Sequence, residues 1–276
     1  MIEKVAIQGI KGSFHHQVAL EYFQENVQVD ECLSFESVVD SLNNNQSQLA
    51  VMAIENSIAG AILPNYSLID KNNLKIVGEY YLDIVQNLMV LKGQNIDDIQ
   101  EVHSHPMALL QCMDFLKKQP SLKLVEDKDT AETAQRIHKN KLKGIAAIGS
   151  KTAAQLYDLE IIAPQIQTVN NNMTRFVVVS KTINNAEKEF INKASLLFEL
   201  EHKHGSLAAI LNVMSDCKLN LTKIQSLPKV TTPWQYSFFV DVTFDDYQNF
   251  EKAKAVINIM ANHFKVLGEY KNNRPS

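Results

Sequence analysis

The sequence predicts an α/β protein in which two successive α/β units precede a smaller module of ferredoxin-like order. Three observations predict it. Short apolar runs at 5–7, 50–54, 145–148 and 176–179 alternate with amphipathic stretches of helical spacing, the rhythm of strands covered by helices. A polar stretch at 182–193, containing Asn184-Asn185, interrupts that rhythm as a linker would. Residues 194–270 then read strand, helix, strand, strand, helix, strand.

Each element has a local reason. Val5-Ala-Ile7 opens the first unit, and Gly9 and Gly12 lead to Ser13, an N-cap for a helix to about Gln24. Residues 27–33 read as a second strand. Ser34 caps a helix with Val38, Val39 and Leu42 on one side, ending in Asn43-Asn-Asn45. Residues 49–54 form a nearly continuous apolar strand that ends at Glu55-Asn56-Ser57. Polar groups at a strand's carboxyl end are well placed to bind a ligand. Residues 74–81 and 83–91 read as extended chain. A second unit follows, with strands ending at Ser104 and spanning 122–125, 145–148 and 174–180. Its helices are expected from Pro106 to about Lys118, at 130–138 and at 150–156. Two such units imply two lobes with a cleft between them. The last module places strands at 194–201, 219–227, 235–242 and 264–267, and helices at 205–215 and 247–261.

Composition excludes several classes. The 276 residues are 45% hydrophobic and 21% charged, a globular composition long enough for about two domains. Lys plus Arg number 27 against 31 Asp plus Glu, a net charge of −4, so no nucleic-acid partner is expected. Only Arg136, Arg175 and Arg274 carry the rigid fork that clamps carboxylates, and Arg274 lies in a polar tail. Cys32, Cys112 and Cys217 are odd in number and scattered, which suggests reduced thiols in the cytoplasm. No leader and no apolar run of about 20 residues is visible, so no membrane association is expected. The pairs His15-His16, His103/His105 and His202/His204 lack metal-ligand spacing, and no metal is expected. Dinucleotide, triphosphate and nucleophile-elbow signatures are absent.

Three segments are left to carry chemistry. In Asn170-Asn-Asn172-Met-Thr174-Arg175-Phe176, the asparagines suit a turn that bonds its own backbone. Arg175, entering a Val-rich strand, must snorkel, pair, or bind an anion. Thr174 and Phe176 share one strand face and Arg175 takes the other. Either the chain twists there or the two residues perform distinct jobs. In Ser104-His105-Pro106, Ser104 suits a cap on a helix whose amides attract an anion. His105 invites an acid–base reading, although histidines beside a proline turn more often pack or face solvent. The loop Gly9-Ile-Lys-Gly12-Ser13 suits close approach of a ligand.

Taken together, residues 3–270 resemble a prephenate dehydratase with a C-terminal ACT regulatory domain. Asn172-Met-Thr174-Arg175-Phe176 matches that family's Asn-x-Thr-Arg-Phe signature. Gly9/Gly12-Ser13, Ile54-Glu55-Asn56-Ser57 with Gly60, and Ser104-His105-Pro106 with Ala108 and Gln111-Cys112 support it in order. Asp129-Thr130-Ala131 and Ala146-Ala147-Ile148 resemble the next two blocks. The resemblance implies a catalytic region at 1–181, with two lobes comparable to type II periplasmic binding proteins, and an ACT domain at 194–270. It implies conversion of prephenate to phenylpyruvate, water and carbon dioxide in phenylalanine biosynthesis, with no cofactor. Thr174 would help the ring hydroxyl leave. Arg175 would bind the pyruvyl carboxylate, Asn56, Ser57, Ser104 and Ser13 would position substrate, and Phe176 would shape the apolar wall.

In the ACT-like module, Gly205-Ser206-Leu207 and Asn220-Leu221 match the effector-site motifs, implying regulation by L-phenylalanine and a homodimer or homotetramer. The usual Glu-Ser-Arg-Pro reads Gln225-Ser226-Leu227-Pro228 here, so both charged members are absent. Three alternatives stand beside this reading: arogenate as substrate, a module that serves only assembly, and a non-catalytic sensor that closes on a carboxylated ligand.

Overall fold

The computed structural model describes residues 4–24, 27–182, 188–201, 203–228 and 236–275. Asn184-Asn185 of the expected linker, His202, and Gln235 at the start of an expected strand lie outside them. The chain divides into two compact units, one of Met1–Gly60 with Leu82–Thr174 and one of Ala61–Tyr81 with Arg175–Ser276.

In chain order the first elements are β1 (Lys4–Gln8), α1 (Phe14–Phe23), β2 (Gln28–Cys32), α2 (Phe35–Asn43) and β3 (Leu49–Asn56). There follow β4 (Gly60–Ala61), α3 (Leu63–Lys71), β5 (Lys75–Asp83), β6 (Asn87–Leu91), β7 (Glu101–Ser104), α4 (Pro106–Gln111) and α5 (Met113–Leu116). Next come β8 (Lys123–Glu126), α6 (Thr130–Asn140), β9 (Ile145–Gly149), α7 (Lys151–Leu156), β10 (Leu159–Ala163) and β11 (Met173–Ser180). The last are β12 (Lys193–Glu199), α8 (Ser206–Asp216), β13 (Asn220–Pro228), β14 (Tyr236–Thr243), α9 (Tyr247–Met260) and β15 (His263–Tyr270).

In the first unit, β1 pairs in parallel with β2 and with β3, as helical crossovers demand. Val5, Ala6 and Ile7 are fully buried, as are Val18 and Ala19 of α1, and Val38 and Leu42 of α2 are buried with them. A second sheet has the order β10-β6-β9-β7-β8. Here β7 is parallel to β8 and β9, whereas β6 is antiparallel to β9 and β10. Alternating strands and helices call for parallel pairing, and β6 departs from it. The difference arises because β6 is entered from extended chain and not from a crossover helix.

Three elements go beyond the sequence expectation: the two-residue β4; β10, an apolar run that stops at Pro164; and α3, which has Pro64 in its first turn. The helix expected from Pro106 to Lys118 is two short ones, broken at Cys112, whose backbone leaves the helical region at φ −106° and ψ 12°.

Side-chain caps start these helices. Ser13 accepts from the His16 N–H at 3.2 Å, Ser34 from Ser37 at 3.2 Å and Ser150 from Ala153 at 2.9 Å. Ser104 corrects the expected pattern. Its hydroxyl is fully buried and donates to the Ile148 carbonyl at 2.8 Å, and His105 caps α4 instead, its Nδ1 accepting from Met107 at 3.2 Å.

Gly12 sits at φ +96°, and a Cβ there would lie 3.1 Å from the Tyr157 ring and 3.2 Å from the Ala153 backbone. Ser150 donates to the Gly12 carbonyl at 2.6 Å and Tyr157 to that of Lys11 at 2.5 Å. The close approach this glycine permits is therefore made by α7 and the residue that follows it.

In the second unit, the antiparallel sheet has the order β13-β14-β12-β15, with α8 and α9 inserted as the ferredoxin-like order predicts. Leu196, Phe198, Val240 and Val242 meet Ile210, Met214, Phe250 and Ile257 in one core. Each such burial contributes about 1.5–3 kcal/mol. Tyr66 of α3 lies edge-on to Phe239 of β14, ring centroids 4.3 Å apart. Gly268 of β15 faces the β5 backbone so closely that a Cβ would fall 2.1 Å from the Ile76 oxygen. Among the described residues no helix is long and apolar enough to cross a membrane.

Candidate active site

Residues 172–174 are fastened to the end of β3. Ser57 donates its backbone N–H to the Met173 carbonyl at 2.8 Å, and its hydroxyl accepts from the Met173 N–H at 2.9 Å. Asn56 stands at the centre. Its Oδ1 accepts from the N–H groups of Ile58 and Ala59 at 2.9 and 2.8 Å. That leaves its Nδ2 to donate to Asn172 Oδ1 at 2.6 Å and to Thr174 Oγ1 at 2.9 Å.

The Asn56–Thr174 bond has a chemical consequence. Thr174 is 7% exposed, and its oxygen accepts from Asn56, so its own proton is directed to another acceptor. The donated bond also stabilises negative charge on that oxygen. A threonine held this way is an oriented hydrogen-bond donor.

Arg175 has other partners. It is 5% exposed; its Nε donates to Glu79 at 2.8 Å, Nη1 to Asp241 and Nη2 to the Tyr270 hydroxyl at 3.0 Å. Lys193 reaches both Glu79 oxygens at 2.9 and 2.8 Å, and Ser195 donates to Asp241 at 2.5 Å. Two carboxylates and two cations thus satisfy one another inside the second unit. Burial pushes the Asp241 carboxyl up, and the Arg175 guanidinium reverses this, holding it below the usual carboxylate range. Burial and the Arg175 charge push the Lys193 ammonium down. The fork expected to clamp a substrate carboxylate is occupied by the protein's own carboxylates.

The remaining expected residues fall in separate places. Ser13 is buried in its capping role, and Ser104 is turned to Ile148. Phe176 is 2% exposed. His105 is exposed, and its Nδ1 accepts from the Met107 N–H at the start of α4. Gly205, at φ +80°, precedes α8, with Ser206 and Leu207 in its first turn, and Asn220 and Leu221 begin β13 with exposed side chains. Within the first unit, a cavity of about 410 Å³ is lined by Phe14 and Gln17 of α1, Asp83 at the end of β5, Asn87 of β6, Lys151 of α7 and Pro164, so one acidic and one basic side chain face it.

Glu79, Asp241, Lys193 and Tyr270 escaped the sequence reading. A signal existed for Asp241, a charge in the middle of Phe238-Phe239-Val240-Asp241-Val242, which requires a partner. Asn172 was legible as part of a motif. Its bond to Asn56 was not.

Comparisons with known proteins give these residues a context. The family model for prephenate dehydratase matches residues 5–184. A bifunctional chorismate mutase/prephenate dehydratase of Buchnera aphidicola is 34% identical over 266 residues, covering 95% of this chain and 69% of that protein. The chloroplastic arogenate dehydratase/prephenate dehydratase 2 of Arabidopsis thaliana is 34% identical over 279 residues, covering 97% and 72%. The prephenate dehydratase of Arthrobacter aurescens, solved with L-Phe, shares the fold at a TM-score of 0.87 and 22% identity, covering 99% of this chain and 92% of that one. A match over most of the chain to the family model, together with relatives at 34% identity, places this protein in the prephenate dehydratase family.

Proposed function

We propose that Thr174 is the donor that helps the C4 hydroxyl of prephenate depart, with Asn56 fixing its orientation. The activity of the family is decarboxylating dehydration of prephenate to phenylpyruvate, a step of phenylalanine biosynthesis. Breaking the bond to the ring carboxylate sends an electron pair into the ring, and the ring becomes aromatic as the C4–O bond breaks. The leaving oxygen takes one proton and departs as water. The barrier lies in expelling hydroxide, and a preoriented donor aimed at that oxygen stabilises the charge it gains. The observation that carries the reading is the Asn56–Thr174 bond at 2.9 Å, which leaves the threonine proton available for the leaving group.

Ser57 supports the site by holding residues 171–173. Ser13 and Ser104 serve it through the helix start and strand end they stabilise. We assign Arg175 to holding the strand after Thr174 and not to clamping substrate. Phe176 is assigned to the apolar packing of that strand.

The same proposal covers architecture and regulation. Residues 1–181 form a two-lobed catalytic region of the periplasmic-binding-protein kind, and 194–270 form an ACT domain. L-Phenylalanine is its effector, bound near Gly205, Ser206, Leu207, Asn220 and Leu221, and the Arthrobacter relative solved with L-Phe supports that choice. A homodimer or homotetramer forms through the edge strand β13, where Leu221 and Ile224 are exposed. The free thiols suit a cytoplasmic location. The test is turnover of prephenate at mildly alkaline pH, followed as phenylpyruvate absorbance, with and without phenylalanine. Turnover that falls on adding phenylalanine is expected. Turnover of arogenate alone would move the substrate assignment, and turnover of neither would overturn it.

A further inference from the structure

Asn172 is 1% exposed, and its Nδ2 is buried with no hydrogen-bond partner among the described residues. Such a group is costly to leave unsatisfied, and a native fold that keeps one calls for a reason. Its orientation is not a matter of choice. Backbone N–H groups of Ile58 and Ala59 can only donate, so they fix the Asn56 carbonyl end toward themselves and its Nδ2 toward residues 172 and 174. The end of Asn172 that meets Asn56 must then be its oxygen. The donor end is left over, and flipping the amide would set two donors against each other.

The leftover donor lies beside Thr174. Asn172 Oδ1 and Thr174 Oγ1 are 2.6 and 2.9 Å from the same nitrogen of Asn56, and the two residues share a face in the alternation of an extended chain. Two hydrogen-bond donors therefore stand side by side, one hydroxyl and one amide, with no acceptor supplied by the described residues.

We infer that Asn172 is a second catalytic donor, whose side-chain amide hydrogen-bonds the departing C4 oxygen alongside the Thr174 hydroxyl. This rests on the reading of Thr174 given above. A neutral amide stabilises charge that grows on the leaving oxygen and offers no fixed charge that would hold the ring carboxylate in place. Proton accounting is simple. The leaving oxygen takes its proton through Thr174, solvent returns that proton, and the Asn172 amide keeps both of its own.

The test is Asn172→Asp, which retains an oxygen for Asn56, removes the N–H donors and at pH 8 puts a carboxylate in their place. The expected result at pH 8 is a fall in kcat of about 10²-fold or more, with KM within about twofold of the parent. Activity should recover in part as pH falls and the introduced carboxyl gains a proton it can donate, after subtraction of the spontaneous acid reaction. A kcat loss at parental KM in Asn172→Asp, repeated in the uncharged Asn172→Ala, is what separates a donor from a merely structural residue. Parental kcat across the pH range, or a loss confined to KM, overturns the inference. If Asn172→Asp melts many degrees lower, Asn172→Ala assayed well below its own midpoint carries the test, with a retained kcat overturning the inference and a lost kcat at parental KM supporting it. Thr174→Val is run in parallel. Full activity there would fail the underlying reading, whereas its loss with Asn172→Asp fully active would fail only the role of Asn172.

Discussion

Thr174 and Arg175 are consecutive, yet they make separate sets of bonds. Thr174 meets Asn56, and Arg175 meets Glu79, Asp241 and Tyr270. Alternation along a strand already separates their faces, so the sequence left two options, a twist or two distinct jobs. The bonds formed correspond to distinct jobs. Asp241 gives the prediction at this scale. It is fully buried and its folded pKa is depressed, so its contribution to stability is complete above the unfolded value near ~4 and is lost as pH falls through the folded value. Asp241→Asn should cost about 3–5 kcal/mol at neutral pH, because it leaves a buried guanidinium short of one partner. It should also flatten the acid limb of the stability curve. Urea denaturation at several pH values checks both, and an unchanged midpoint would show that the pair is worth little.

Elements were legible where a local signal fixed them. Ser13 and Ser34 head their helices with bonds a sequence can announce, and the apolar runs of β3 and β11 needed only strand length to be recognised. What could not be read was set by distant partners. β6 is antiparallel because of how the chain enters it, and α3 owes its place partly to Phe239, far along the chain. Gly268 belongs to the same class. Its need for a hydrogen in place of a methyl comes from Ile76 on β5, which no reading of residues 263–270 reveals. Gly268→Ala should therefore destabilise the protein by about 1–3 kcal/mol or more through overpacking against backbone. Thermal melting of the variant checks this, and an unaltered Tm would mean that β5 and β15 separate at no cost.

For the whole molecule, length and composition conveyed a globular chain of about two domains, the strand–helix rhythm an α/β protein, and motif order the family. The linear boundaries proposed at 181 and 194 differ from the grouping in space, which joins Ala61–Tyr81 to Arg175–Ser276. A contiguous reading has no means of seeing that, since the ion pairs of Glu79 with Arg175 and Lys193 span about a hundred residues. The central claim concerns one hydroxyl, and one comparison tests it most directly. Purified Thr174→Val and parent are assayed with prephenate under saturation, with substrate binding measured separately by calorimetry. The account predicts that kcat falls by about 10²–10³-fold while prephenate binds as before, because valine keeps the shape and loses the donor. A variant that turns over at the parental rate would contradict it.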